Sequence, residues 1–225
     1  PTIPGEEDRY IAIARNVTER KLAEHAIEHL AFHDSLTGLP NRRLLNDRLH
    51  SALLSSYRAQ KHAALLFLDL DQFKLLNDNY GHDVGDLLLQ EVARRLLQCS
   101  RAIDTVARLG GDEFVVLVHD LSVAEDNARL HAATVAHKII DSLNEPYGIK
   151  GQSHVVTPSI GITMFLGKSV SADTLLKQAD SAMYRAKETG PDAFEFYAPE
   201  MNERATERLA IEAGLRRAIT RGELL

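Results

Sequence analysis

The stretch from Val106 to Val118, VARLGGDEFVVLV, constrains the fold more than any other part of the chain. Two short apolar runs rich in β-branched residues flank Gly110-Gly111-Asp112-Glu113, the pattern of an antiparallel hairpin. The glycines supply the positive φ that a tight turn demands and let a bulky ligand approach closely. A polar turn with solvated acids is the plain reading, since Gly and Asp are common turn formers. Adjacent carboxylates at the tip nevertheless repel each other, and chain reversal alone does not need them.

The periodicities around the hairpin define a small set of elements. RYIAIARN alternates as a strand, and TERKLAEHAIEHLAFHD follows as a helix with Ala23, Ile27, Leu30 and Ala31 in its apolar stripe. Pro40-Asn41 breaks the chain and restarts it as a helix to about Gln60. HAALLFLDL reads as a buried strand ending at Asp69 or Asp71, followed by the polar loop NDNYGHDVG. Leu88, Val92, Leu96 and Cys99 predict a helix over 86–99, and short strands are expected at 105–109 and 114–118. Ser122 and Glu125 predict a capping box for a helix to about Leu143. HVVTPSIGITMF is strand-rich, ADTLLKQADSAMYRAKE helical, FEFY a last short strand, and the tail from Asn202 an amphipathic helix.

The middle of the chain thus runs strand, helix, strand, strand, helix, strand. That order predicts an α+β fold with a ferredoxin-like βαββαβ core, its mostly antiparallel sheet covered by helices. The end of the first strand then lies beside the hairpin, on strands about 5 Å apart. Asp69 and the acids of the turn can meet there as a hard-oxygen site for Mg²⁺, which favours one or two carboxylates plus water and phosphate oxygens. The segment from Asp69 to Asp86, DLDQFKLLNDNYGHDVGD, adds Lys74 to neutralise phosphate, and Asn77 and Asp86 to read a purine edge. Loop capping is the alternative for these residues.

Charge and cysteine content narrow the classes. With 26 Lys+Arg against 32 Asp+Glu the net charge is −6, which disfavours a nucleic-acid groove. Cys99 is the one cysteine and cannot form an internal disulfide, so a cytoplasmic location is expected. The apolar run from Ala63 to Leu68 is far short of the roughly 20 residues that span a bilayer.

The strings DSLTGLPNR from Asp34, DLDQFKLLNDNYGHDVGD from Asp69 and RLGGDEF from Arg108 resemble the GGDEF domain of diguanylate cyclases, over roughly residues 30–198. That family makes cyclic di-GMP from two GTP molecules. The resemblance implies Mg²⁺ (or Mn²⁺) held by Asp69, Asp112 and the Leu70 carbonyl. It implies proton removal by Asp112 with Glu113 beside it, and Lys74 stabilising the transition state. Asn77, His82 and Asp86 would hold the nucleotide, and Lys187 a phosphate. Each domain holds one GTP, so a homodimer is implied. Arg101 and Asp104 resemble the family's inhibitory product site for cyclic di-GMP, although an i,i+3 ion pair at a helix end would look the same. Pro191 stands where an Arg phosphate ligand is often found, which raises a second expectation. The domain would then be a weakly active, GTP-binding regulator of an adjoining EAL phosphodiesterase. A third is a scaffold that binds only the finished dinucleotide.

Two other signals are set aside. The segment from Gly161 to Ser169 has five residues between its glycines where a P-loop needs four. His25, His29 and His33 share a helical spacing that could bind zinc, but lie largely opposite the apolar stripe, as on a solvated face. The expected organisation is the end of a PAS-like domain at 1–17, a linker helix at 18–33, the GGDEF domain at 34–198, and a helix at 199–225 leading towards an EAL-like domain.

Overall fold

In the computed structural model, which describes residues 30–167 and 170–201, the elements in chain order are α1 (Arg42–Ala59), β1 (Ala63–Leu70), α2 (Phe73–Tyr80), α3 (His82–Cys99), β2 (Thr105–Gly110), β3 (Glu113–Val118), α4 (Glu125–Asn144), β4 (Tyr147–Ile149), β5 (Gln152–His154), β6 (Pro158–Phe165), α5 (Ala172–Thr189) and β7 (Phe194–Phe196). The main sheet has the order β2-β3-β1-β6-β7. Its first four strands pair antiparallel in the ferredoxin-like order, and β7 adds a parallel edge on β6. The α+β architecture expected from the strand and helix order is the one observed.

β1 is the central strand. It is buried along nearly its whole length because helices cover both faces, which is why AALLFLDL reads as an unbroken apolar run. Leu66 and Leu68 face α3 and α4 together with Phe114, Val116, Ile160 and Ile162. Leu65 and Phe67 face α1 and α5 with Val115 and Leu117. Gly161 on β6 lets α5 lie directly on the sheet: a Cβ there would stand 1.9 Å from the Ala179 carbonyl oxygen and 2.1 Å from the Met183 nitrogen.

The turn between β2 and β3 is held from outside the sheet. Gly110 and Gly111 adopt φ of 141° and 54°, and the register shifts between Arg108 and Gly110, the mark of a bulge that re-aims the turn. The Arg108 guanidinium donates twice to the Gly111 carbonyl, at 3.1 and 2.7 Å, and once to Asp34 Oδ1 at 2.9 Å. Thr37 donates to the same carboxylate through its N–H and hydroxyl. Burial alone would raise the Asp34 carboxyl, but the bonds from Thr37 and Arg108 outweigh it and hold the group below its ordinary value.

Three local expectations are corrected. The polar loop after β1 is the helix α2, and α3 begins at His82 rather than near 86. Phe73 and Leu76, one turn apart, are buried and dock α2 on the core, and Gly81 at φ 85° separates the helices. The Ser122–Glu125 capping box does not form. Ala124 is the N-cap of α4, because the Ser122 carbonyl is tied across the fold to the His62 backbone N–H at 2.8 Å, and its hydroxyl accepts from the Ala124 N–H. The short β4–β5 hairpin was not expected. It turns through Lys150 and Gly151, both at positive φ. Asn41 does restart the chain as expected, its side-chain oxygen accepting from the N–H groups of Arg43 and Leu44. The strand and most of the helix expected before residue 30, His25 and His29, and the tail from Asn202 lie outside the described residues.

Two predictions follow from this packing. Gly161→Ala should destabilise the chain by about 3 kcal/mol in urea unfolding, because the obstructing atoms are helix backbone. Arg108→Lys should cost about 1–3 kcal/mol, since an ammonium cannot replace the three-bond fork that joins Gly111 to Asp34.

Candidate functional site

Asp69, near the end of β1, is directly opposite Glu113, the first residue of β3. Side chains alternate along a strand, so Asp69 and Glu113 point to the same face as Phe67 and Val115, towards α1 and α5. Asp112 follows in the turn and is partly buried. The Asp71 N–H donates to Thr157 on the β6 side, and alternation of antiparallel ladder bonds turns the Leu70 carbonyl the other way, towards the hairpin.

The electrostatics are those of crowded acids. Burial pushes the Asp69 carboxyl up, the Lys187 hydrogen bond pulls it down, Asp112 raises it again, and the net direction is upward. Glu113 is also raised, first by burial and then by Asp180, with Arg42 opposing. Asp180 is raised by the protein around it, although it keeps an open side to solvent, and Lys187 opposes that rise. The Lys187 ammonium, from the last turn of α5, lies 2.6 Å from Asp69 Oδ1. The Asp69 side chain is only 15% exposed.

These residues suit a divalent cation in donor chemistry. Asp69 already draws a positive group, and Mg²⁺ needs few protein oxygens when phosphates and water complete its shell. Among the described residues, however, no three His, Cys, Asp or Glu side chains close on one point as a ready-made metal cluster. The acids expected to converge are neighbours, and a full ligand shell would have to draw on groups beyond them.

α2 and the start of α3 form the adjoining wall. Asp71 fixes the turn into α2 by accepting from the hydroxyls of Thr157 at 2.7 Å and Ser159 at 2.8 Å. Lys74 is exposed on α2, and His82 and Asp86 are exposed on the first turns of α3. Asn77 Oδ1 is buried without a hydrogen-bond partner among the described residues. A Cβ on Gly85 would stand 1.9 Å from that oxygen, so the glycine makes room for the amide. A buried acceptor with no partner is costly and marks a place for an incoming donor.

Elsewhere, Arg101 and Asp104 lie after α3 in the turn to β2. The Asp104 carboxylate accepts from the backbone N–H groups of Arg101 at 2.9 Å and His119 at 3.1 Å, and the Arg101 side chain is exposed. Pro191 follows Gly190 beyond α5 and lines a cavity of about 360 Å³ with Asp71, Leu75 and His154. Sequence reasoning missed Asp180, Arg42, Asp71 and Arg108 as residues of the site and its frame. Asp180 and Lys187, seven apart on one helix, share a face; that spacing was the available signal.

Comparisons with known proteins place the chain by family and fold. The family model described as "Diguanylate cyclase, GGDEF domain" matches residues 31–193. The bifunctional diguanylate cyclase/cyclic di-GMP phosphodiesterase MucR of Pseudomonas aeruginosa is 43% identical over 203 residues, 90% of this chain and 29% of MucR. The cyclic di-GMP phosphodiesterase PdeR of Escherichia coli is 36% identical over 216 residues, 96% of this chain and 31% of PdeR. The chain therefore spans less than a third of either relative. The solved GGDEF domain of TpbB (YfiN) from Pseudomonas aeruginosa superposes with a TM-score of 0.71 at 35% identity, covering 77% of this chain and 99% of that one. By its matched residues, its relatives and its fold, this chain belongs to the GGDEF domain family.

Proposed function

We propose that this chain is a divalent-metal-dependent diguanylate cyclase domain that condenses two GTP molecules into cyclic di-GMP across a homodimer, with residues 34–198 as the catalytic domain. The observation that carries the reading is the register that sets Asp69 opposite Glu113 with Asp112 at the adjoining turn. Asp69, Asp112 and the Leu70 carbonyl would hold Mg²⁺ or Mn²⁺. An ion held there would neutralise triphosphate charge and would lower the pKa of the attacking hydroxyl.

The remaining roles belong to the chain. The Asn77 amide, with its unpartnered oxygen, accepts from the guanine edge, Asp86 accepts from its N–H groups, and His82 contacts the nucleotide. A ribose 3′-oxygen from the GTP of one protomer bonds to the α-phosphorus of the GTP on its partner. The hydroxyl proton passes to Asp112, the bond between the α-phosphorus and the bridging oxygen breaks, and pyrophosphate leaves; the reciprocal attack closes the ring and releases a second pyrophosphate. Lys74 lies against the charge that develops. Arg101 and Asp104 hold the finished dinucleotide as an inhibitory site. Residues 1–17 are the end of a PAS-like sensor domain, joined by the linker helix 18–33, and the helix at 199–225 leads to an EAL-like domain, in a cytoplasmic part of the parent protein.

A second reading is favoured by Pro191, which supplies no cation where the family often has one, and by the relative that is a phosphodiesterase. In it, GTP binds here and tunes an adjoining phosphodiesterase without turnover. Incubating the chain with GTP and MgCl₂, then separating nucleotides by chromatography, decides between them. Cyclic di-GMP supports the cyclase, and bound but unreacted GTP supports the regulator. Asp112→Asn should lower product formation by at least about a hundredfold with the fold retained.

The raised Glu113 carboxyl makes a stability prediction. A group whose folded pKa lies above its unfolded value favours folding when protonated, so its charged form weakens the fold as pH rises through the folded pKa. Glu113→Gln should therefore melt at higher temperature than the unsubstituted chain at pH 7. The difference should vanish at a pH of about 3.5, below the ordinary glutamate value.

A further inference from the structure

Lys187 makes an ion pair inside the acidic site, with its Nζ 2.6 Å from Asp69 Oδ1. The side chains are 34% and 15% exposed, so water screens the pair only in part. A divalent ion on Asp69 and an ammonium hydrogen-bonded to the same carboxylate would repel each other at close range. Lys187 sits at the end of α5, and the helix is seated on the sheet at Gly161 with no space between them. Asp180 on the same face is close enough to feel the lysine charge, so a second carboxylate can keep the ammonium near once Asp69 is taken.

We propose that Lys187 is the resident counter-ion of the acidic site: it neutralises Asp69, holds back divalent metal in the absence of nucleotide, and gives way only when a triphosphate offers its ammonium another anion. The metal and the nucleotide then enter together. This rests on the reading of Asp69 as a metal ligand, but not on turnover. Lys187 is a positioning residue in this role, acting on the metal through Asp69.

The test is metal binding without nucleotide, read by electron paramagnetic resonance of free Mn²⁺ during titration of the chain. Lys187→Met should tighten nucleotide-free Mn²⁺ binding by about tenfold, a value discounted for the partial exposure of the pair. The same variant should weaken binding of a non-hydrolysable GTP analogue. Lys187→Arg, which keeps the charge, should leave Mn²⁺ binding weak. Opposite signs for metal and nucleotide would not come from general loss of structure. Unchanged or weaker Mn²⁺ binding by Lys187→Met overturns the proposal. A chain that makes no cyclic di-GMP yet shows the Mn²⁺ tightening refutes the cyclase reading alone.

Discussion

The antiparallel register of β1 and β3 is the constraint on which the site depends. With Asp69 opposite Glu113, both carboxylates point to the side where α5 ends and α1 begins. A slip of β3 by one residue would turn Glu113 towards α3 and α4, among Leu66, Leu68 and Val116 in the larger apolar cluster, and away from Asp69. Burying an unpaired carboxyl there is costly. The apolar residues of β1 and β3 that build the core therefore also aim the acids. Arg108 completes the arrangement by fixing the turn beyond the ladder, where strand pairing no longer acts.

The site stores unfavourable electrostatics. Asp69, Glu113 and Asp180 are all pushed upward, with burial as the first cause in each. Asn77 buries an oxygen that has no hydrogen-bond partner among the described residues. Such features weaken a fold and persist where they prepare a place for a ligand. Here they occur on neighbouring walls: acids at the strand ends, and the amide on α2.

The strand and helix order was legible because the core elements are long and strongly patterned. AALLFLDL could hardly be anything but a covered strand, and the glycines at 110 and 111 announced the turn. α2 was hidden, because Asn77, Asp78 and Asn79 fill its second half, Gly81 follows at once, and only Phe73 and Leu76 anchor it. The capping box at Ser122 failed for a related reason: a contact with His62, sixty residues away in the chain, outweighed a local preference. Within the site, the motif residues could be read from the sequence, but their partners could not. That Lys187 reaches Asp69, and that Arg108 reaches Asp34, are facts of tertiary packing across 118 and 74 positions.

The close seating of α5 on β6 has a kinetic corollary. With Gly161 against the helix backbone, α5 has no gap to slide into, and Lys187 can change partners only by rotating its own four-carbon stem. Side-chain torsions of that sort relax in picoseconds to nanoseconds, whereas enzymes commonly turn over about 1–1,000 times per second. Rearranging the lysine is therefore far too quick to pace a reaction at these acids.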